Sequence, residues 1–228
     1  NQNVLTMTAY AKDFTQHVQV FLEKKVPKNT LGSVLSQNGL RQGRFAETEK
    51  YAHVTYFFNG GQEDCFAGEE RTLVPSPKVK TYDECPEMSA TPLTQKVLEG
   101  LEEERFDFYV LNYANPDMVG HTGNYEATLK AIEAVDANLS RLYATVMKLK
   151  GTLIITADHG NAEKMYDVVT KEPCTAHTTN TVPFIVVGPQ NYALKATGTL
   201  ADVAPTVLDI LGIKKPSEMT GESLLEHA

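Results

Sequence analysis

Five side chains of the types that bind metal ions lie beside three short apolar runs of this sequence, at 106–113, 152–157 and 181–187. These side chains are Asp117, His121, Asp158, His159 and His177. Imidazole nitrogen and carboxylate oxygen are common ligands of zinc and manganese. Taken singly, an aspartate after a strand is more often a helix cap, and a lone histidine is more often a surface or core residue. Five such residues beside three runs are improbable by chance, so the sequence predicts a two-metal site.

Two divalent ions a few ångström apart suit phosphoryl transfer. One ion activates an oxygen nucleophile, and both neutralise charge on the oxygens around phosphorus. The predicted substrate is therefore a phosphate ester. The net charge of −8 does not argue against an anionic substrate, because the ions and nearby lysines set the local field.

The three apolar runs are short, continuous and rich in β-branched or aromatic residues, as expected of strands buried on both faces. We therefore predict central parallel strands at 106–113, 152–157 and 181–187. Ligands bind outside the carboxyl ends of the strands in open α/β sheets. Because the predicted metal ligands follow or connect these runs, they are expected to meet at one edge of the sheet.

Helical patterns separate and follow the predicted strands. A threonine cap, a proline in the first turn and a glycine after the last turn mark their ends, and apolar residues spaced by threes and fours mark the longest one. The predicted helices run from Thr30 to near Gly39, Thr91 to about Glu104, Ile132 to Leu149, and Asp202 to before Gly212.

Two further strands are predicted at 3–8, where apolar and polar residues alternate, and at 53–58, which runs into a glycine turn. The tract 62–89 is rich in Pro, Glu and Ser and is predicted to form a surface loop. Strands and helices alternate along the chain, so the predicted class is α/β.

Composition excludes several classes of protein. The 228 residues are 42% apolar, which is typical of one globular domain. Basic residues are scattered, so no nucleic-acid partner is expected, and no apolar run is long enough to span a membrane. Three widely spaced cysteines favour a reducing compartment, and we expect a cytoplasmic protein. The chain starts at Asn1 without a leader, which suggests an excised piece.

Several longer motifs resemble the cofactor-independent phosphoglycerate mutase family, and the resemblance extends from near Asn29 almost to the end of the chain. The motifs occupy 47–61, 74–79, 86–90, 112–123 and 156–161. The resemblance implies an alkaline-phosphatase-like three-layer sandwich, with helices on both faces of a mostly parallel sheet. It also implies interconversion of 3-phosphoglycerate and 2-phosphoglycerate in glycolysis through a phosphoserine intermediate. The implied cofactors are two Mn²⁺ ions, with Zn²⁺ or Co²⁺ as alternatives, and no 2,3-bisphosphoglycerate.

The resemblance also assigns residue roles. It implies that one metal is bound by Asp117, His121 and His177. The second metal would be bound by Asp158 and His159. Lys50 would act as a catalytic, substrate-binding residue that contacts the transferring phosphate. Without its motif, Lys50 would be interpreted as a solvated charge beside two glutamates. His53 is interpreted as structural, and Lys78 is interpreted as solvent-exposed.

The sequence departs from the family in three respects. An early metal-binding aspartate and the nucleophilic serine are not found, and the arginine-rich insert that grips the substrate carboxylate is absent. We therefore predict that residues 1–228 are the C-terminal portion of a phosphatase-type domain without its transferase insert domain. Alone, this portion is expected to be inactive, to expose a sheet edge or apolar face, and to need its N-terminal half. The full-length enzyme is expected to be monomeric.

Other functions remain open from the sequence. Phosphopentomutases, phosphatases and sulfatases share the Asp-His-Gly strand end. A non-catalytic, metal-stabilised module would bind metal and become active only with a partner. If the histidines and aspartates are unconnected, replacing His177 would leave metal affinity unchanged.

Overall fold

The computed structural model describes residues 4–7, 18–22 and 26–226. In chain order, the strands are β1 (Leu5–Thr6), β2 (Gln19–Val20), β3 (Gln42–Glu47), β4 (Glu69–Val74), β5 (Phe108–Asn112), β6 (Leu153–Thr156), β7 (Tyr166–Asp167), β8 (Glu172–Pro173) and β9 (Phe184–Val187). The helices are α1 (Leu31–Gln37), α2 (Tyr51–Val54), α3 (Ala90–Glu102), α4 (Asn115–Gly120), α5 (Tyr125–Lys148) and α6 (Val203–Ile210), with 3₁₀ turns at Thr48–Lys50, Tyr82–Glu84 and Leu200–Asp202.

A three-stranded parallel sheet, in the order β4-β3-β5, carries the elements of the candidate site. Gln42 at the start of β3 pairs with Glu69 on one side and with Phe108 on the other. All six residues of β3 are buried, as expected of a central strand. The parallel strand predicted at 106–113 is confirmed as β5, and its carboxyl end lies at the same edge as that of β3. It was predicted to be central and buried on both faces, which is wrong, because β5 is the outer strand of this sheet and its residues are half-buried.

The strands predicted at 152–157 and 181–187 exist as β6 and β9, but the predicted parallel arrangement is wrong for this pair. Leu153 pairs with Val187 and Thr156 with Phe184, so the two strands are antiparallel. Most of their residues are half-buried rather than buried on both faces. A short apolar run indicates a strand, but it does not specify the direction of the partner strand.

Two predictions between residues 53 and 89 were wrong. The tract 53–58 is not a strand, because α2 and the turns after it occupy this part of the chain, and the Phe57 amide donates to the Ala52 carbonyl. The tract 62–89 is not all loop, since 69–74 forms β4. Charged residues in β4 hid this strand; Glu69 is buried there and accepts hydrogen bonds from Arg71 and Asn59.

The predicted helices are confirmed, with shifted ends. The Thr30 side chain accepts from the Ser33 amide at the start of α1, and Gly39 follows the helix with a φ of 73°. Of the strand predicted at 3–8, only 4–7 lies within the described residues, where β1 covers two positions. None of the helices in the described ranges is long and apolar enough to cross a membrane.

Apolar contacts fix the helices that border the site. Phe45 of β3 packs with Leu93 of α3 and Leu142 of α5 in one buried cluster. A second cluster places Val119 of α4 against Ala131 of α5. Helix α4 is therefore anchored by its apolar side, and its polar side is left for the candidate site.

Candidate metal centre

Asp117 lies in the short helix α4 at the carboxyl end of β5, and His121 is the first residue after that helix, still in a helical conformation. Two residues separate the end of β5 from helix α4, and Pro116 in the first turn of the helix is compatible with the unbonded amides there. The spacing of four residues places both side chains on the same face of the helix. His121 Nε2 lies 3.0 Å from Asp117 Oδ1.

His177 completes a group of three candidate ligands. His177 Nε2 lies 3.1 Å from Asp117 Oδ1 and 3.1 Å from His121 Nε2. His121 Nδ1 lies 2.5 Å from the Thr175 carbonyl oxygen, to which it donates in the tautomer that leaves the Nε2 lone pair facing the other ligands. The loop that brings His177 therefore also orients the ring of His121.

The donor set of this group fits a divalent transition metal. Its three ligand atoms lie about 3 Å apart, which is the spacing expected for neighbouring ligands with bonds of about 2.1 Å to one ion. One carboxylate and two imidazoles are accepted by manganese, zinc and cobalt alike. A search of the described residues for three or more His, Cys, Asp or Glu side chains with ligand atoms close together finds this group.

Asp158 and His159 follow β6 directly and lie beside the first group. His159 Nε2 is 3.6 Å from Asp158 Oδ2 and 3.9 Å from Asp117 Oδ1. The rings of His159 and His177 stack with centroids 3.6 Å apart. The structure thus brings all five sequence-predicted ligands together, as one complete group and one adjacent pair; their binding of metal stays a prediction.

Lys50 lies against the first group rather than in solvent. It ends the 3₁₀ turn after β3, is only 7% exposed, and its Nζ donates to Asp117 Oδ2. Burial raises the pKa of Asp117, but the hydrogen bond and charge of Lys50, together with His121, outweigh burial and hold that pKa below its usual value. The interpretation of Lys50 as a solvated charge is therefore wrong.

A model of the metalloenzyme superfamily matches residues 11–215, which is most of the chain. The chain belongs to this metalloenzyme superfamily. It is 52% identical over 229 aligned residues to the 2,3-bisphosphoglycerate-independent phosphoglycerate mutase of Gracilaria tenuistipitata var. liui. It is 56% identical over 219 residues to the protein of the same name from Acetivibrio thermocellus. These alignments cover 99% and 96% of this chain but 44% and 42% of the relatives.

The same likeness extends to three dimensions. A crystal structure of Leishmania mexicana phosphoglycerate mutase, obtained at low cobalt concentration, matches with a TM-score of 0.87 and 30% identity over 98% of this chain and 44% of that one. The predicted resemblance and the alkaline-phosphatase-like α/β class are thereby confirmed. This metalloenzyme chain spans less than half the length of the relatives that it matches.

A strap of chain, residues 75–89, holds the turn that carries Lys50. The buried Glu47 carboxylate accepts from Ser76 Oγ at 2.8 Å and from the Ser89 amide at 3.3 Å, and burial raises the pKa of Glu47. Tyr82 donates its hydroxyl to Glu49 at 2.6 Å; burial and this hydrogen bond raise the pKa of Tyr82 to about 12. Both contacts fix the backbone on which Lys50 stands.

His53 and Lys78 lie outside the hydrogen bonds of the metal centre. His53 is half-buried on α2 against the ring of Phe57, and burial together with the charge of Lys50 lowers its pKa. Lys78 is exposed in the strap. These positions agree with the structural and solvent-exposed interpretations drawn from the sequence.

Sequence reasoning missed two residues that border the candidate metal centre, Asn161 and Glu163. Asn161 Nδ2 donates to Asp117 Oδ1 at 3.1 Å. Glu163 accepts from the Asn161 amide at 2.6 Å and from two side chains of the loop after His177. Their proximity to the Asp158-His159 pair in sequence was the available signal, but polar residues after a strand are too common for proximity alone to assign a role.

Gly120 leaves room for Asn161 at the metal centre. A methyl group at Gly120 would overlap Asn161 Oδ1 and lie 3.0 Å from its Cγ. We expect Gly120→Ala to push Asn161 away from Asp117, with a cost of about 1–3 kcal/mol in stability from overpacking. Metal affinity should fall by about 10-fold, as for loss of an outer partner of a ligand.

Thermal unfolding and Co²⁺ titration of the Gly120→Ala variant would measure both effects. Gly39→Ala is a control that separates stability from affinity: an alanine there is strained at positive φ but its methyl group meets no atom within 4 Å, so stability should fall while metal affinity is unchanged. A Gly120→Ala variant with unchanged metal affinity would show that Asn161 does not support Asp117.

Proposed function

We propose that this chain is the metal-binding part of a 2,3-bisphosphoglycerate-independent phosphoglycerate mutase, an isomerase that interconverts 3-phosphoglycerate and 2-phosphoglycerate. The observation that carries the proposal is the convergence of Asp117, His121 and His177 with Lys50 on the same carboxylate. It is supported by 52–56% identity to proteins of that name. Membership of the metalloenzyme superfamily alone would also be compatible with other phosphoryl-transfer enzymes.

The proposed site holds two divalent ions, one on Asp117, His121 and His177 and one on Asp158 and His159 with ligands from outside this chain. When bound, these ions supply positive charge to the phosphate oxygens and activate a hydroxyl nucleophile. The mixture of carboxylate and imidazole ligands is compatible with manganese, which we favour over zinc or cobalt. The cycle requires no 2,3-bisphosphoglycerate.

Lys50 is proposed to bind the transferring phosphoryl group. Its ammonium lies beside the candidate metal group, and its flexible stem lets the charge follow phosphorus over a short path. A preorganised cation in a water-poor site stabilises the negative charge that develops in the transition state. The strap contacts of Glu47 and Glu49 keep the backbone of Lys50 in place while the side chain moves.

The nucleophile is proposed to be a serine from outside these 228 residues. Four of the seven serine hydroxyls of this chain donate elsewhere: Ser76 to Glu47, Ser89 to the Pro75 carbonyl, Ser33 to the Thr30 carbonyl and Ser217 to Glu218. The phosphoryl group would pass from a substrate oxygen to the serine Oγ, forming phosphoserine, and return to the other hydroxyl of glycerate. A substrate-holding transferase domain would bind the glycerate between these steps.

The cellular setting follows from the proposed reaction. Interconversion of phosphoglycerates belongs to glycolysis and gluconeogenesis, and we propose a cytoplasmic, monomeric enzyme whose substrate is a small phosphate ester. Three free cysteines are compatible with a reducing compartment. An acidic chain of net charge −8 is poorly suited to nucleic acid or to anionic membranes as partners.

An enolase-coupled mutase assay with Mn²⁺ and no 2,3-bisphosphoglycerate tests the proposal. The 228-residue chain should be inactive, and a longer protein that carries this chain together with its upstream region should be active. Activity of the short chain would mean that one of its own serines is the nucleophile. An inactive longer protein that hydrolyses other phosphate esters would instead indicate a phosphatase.

A further inference from the structure

A single carboxylate, Glu163, connects the two loops that deliver the histidines of the site. Its Oε2 accepts from the Asn161 amide at 2.6 Å, two residues after His159. Its Oε1 accepts from Thr178 Oγ1, the residue after His177, and from Asn180 Nδ2 at 3.0 Å. We propose that Glu163 is a positioning residue that fixes His159 and His177 relative to each other. The inference deepens the proposed function, since it concerns the same two-metal site.

Backbone contacts place the two loops so close that Glu163 can bridge them. The Thr178 amide donates to the Gly160 carbonyl at 2.8 Å, as an isolated antiparallel bridge. A side chain at Gly160 would overlap Thr178 Oγ1 and come within 2.9 Å of Glu163 Cδ. Glycine at 160 therefore makes room for the carboxylate bridge, which joins the loops beside the stacked rings of His159 and His177.

Glu163 also acts on Asp117 through Asn161. Because Glu163 fixes the Asn161 backbone, it sets the position of the side chain that donates to Asp117 Oδ1 at 3.1 Å. Asn161 is itself 4% exposed and packs against Gly120. Glu163 thus influences Asp117, His159 and His177 without touching any of them.

The bridge requires two acceptor oxygens. A carboxylate accepts through both oxygens, whereas a glutamine accepts through one and presents an NH₂ group in place of the other. In Glu163→Gln, that NH₂ group must face either the Asn161 amide or the hydroxyl and amide donors of the other loop. The Thr178 hydroxyl and the Asn180 side-chain amide can reverse their hydrogen bonds to accept from that NH₂ group, but every bond of the bridge is then neutral rather than charge-assisted. The substitution therefore weakens the bridge while it keeps the size and shape of the side chain.

A Co²⁺ titration of the longer protein that carries this chain together with its upstream region, followed by the visible absorption of the bound ion, tests the proposal. We expect Glu163→Gln to lower Co²⁺ affinity by about 10–100-fold, which is the range for loss of a side chain that orients metal ligands without binding the ion. The visible bands should also change in intensity, since the ligands then surround the ion differently. A purely structural role would lower the unfolding temperature and leave the spectrum of the bound ion unchanged.

Two comparisons separate the bridge from charge and folding effects. Glu172→Gln removes the same charge from an exposed position on the hairpin before His177 and should leave affinity and spectrum unchanged. Thr178→Val removes one donor to Glu163, so the double variant with Glu163→Gln should bind Co²⁺ no more weakly than Glu163→Gln alone.

The outcomes distinguish failure of this inference from failure of the proposed function. If the unchanged longer protein binds Co²⁺ and His177→Ala weakens that binding, but Glu163→Gln binds with unchanged affinity and spectrum, the positioning role is wrong and the metal site stands. Additive losses from Glu163→Gln and Thr178→Val would equally overturn the bridge. If the unchanged longer protein binds no Co²⁺, the metal site itself fails, and the positioning role fails with it.

Discussion

Asp117→Asn is expected to lower the Mn²⁺ affinity of the chain by at least about 100-fold. Asp117 Oδ1 is the common neighbour of the His121 and His177 nitrogens, so its loss removes the only carboxylate of that ligand group. Loss of a side chain that only orients a metal ligand lowers metal affinity by about 10–100-fold, and loss of an anionic ligand should exceed that range. Isothermal titration calorimetry with Mn²⁺ would measure the change.

The same substitution should destabilise the metal-free chain. The Lys50 ammonium is buried and donates to Asp117 Oδ2, so an asparagine leaves a buried cation without its counter-charge. Breaking such a pair by removing one partner costs about 3–5 kcal/mol. Asp136→Asn, at an exposed position of α5, is the matched control and should change neither stability nor affinity. Normal Mn²⁺ binding by Asp117→Asn would refute the proposed ligand group.

Lys50→Met is expected to lower the kcat of the proposed mutase, assayed in the longer protein, by about 10²–10³-fold, as for loss of one preorganised donor to a transition state. Metal affinity should not fall, because the substitution removes a cation that competes with the metal for Asp117. Steady-state kinetics and Mn²⁺ titration of the same preparation would show whether kcat falls while Mn²⁺ affinity does not.

Two further variants test whether the effect on kcat is specific to the ammonium group of Lys50. Lys78→Met removes an exposed lysine from the strap and should leave kcat unchanged. Lys50→Arg keeps the charge but places a larger, planar group in a buried site shaped for an ammonium, so it should not restore full activity. A Lys50→Met enzyme with normal kcat would restrict Lys50 to a structural partner of Asp117. Loss of metal binding in that variant would instead mean that Lys50 holds Asp117 in its ligand geometry.

The residue types and their order were sufficient to predict the candidate ligands. Asp117 and His121 are spaced for one helical face, and Asp158 and His159 directly follow an apolar run that forms β6. Such patterns are local: they depend on helical period, strand length and the position of polar residues at strand ends. The motif around Lys50 was also visible in the sequence, although its burial was not.

Local patterns failed where a tertiary contact decides the conformation. The tract 53–58 is apolar and aromatic enough for a strand, yet α2 and its turns form there after β3 ends. Charged β4 looks like a loop in sequence, but it pairs along its whole length with β3 and buries Glu69 against Asn59. The strand propensity of the residues predicts a strand only weakly, because strand pairing and the burial of particular side chains can outweigh it.

The sequence alone determined the α/β class and the candidate ligands, because those follow from local period and residue type, and its longer motifs carried the family resemblance. The tertiary structure decided how these parts meet. It made β6 and β9 antiparallel, turned Lys50 onto Asp117, and placed Glu163 between two loops that are distant from α4 in sequence. Contacts of this kind depend on distances between residues far apart in the chain, and no spacing within a single segment encodes those distances.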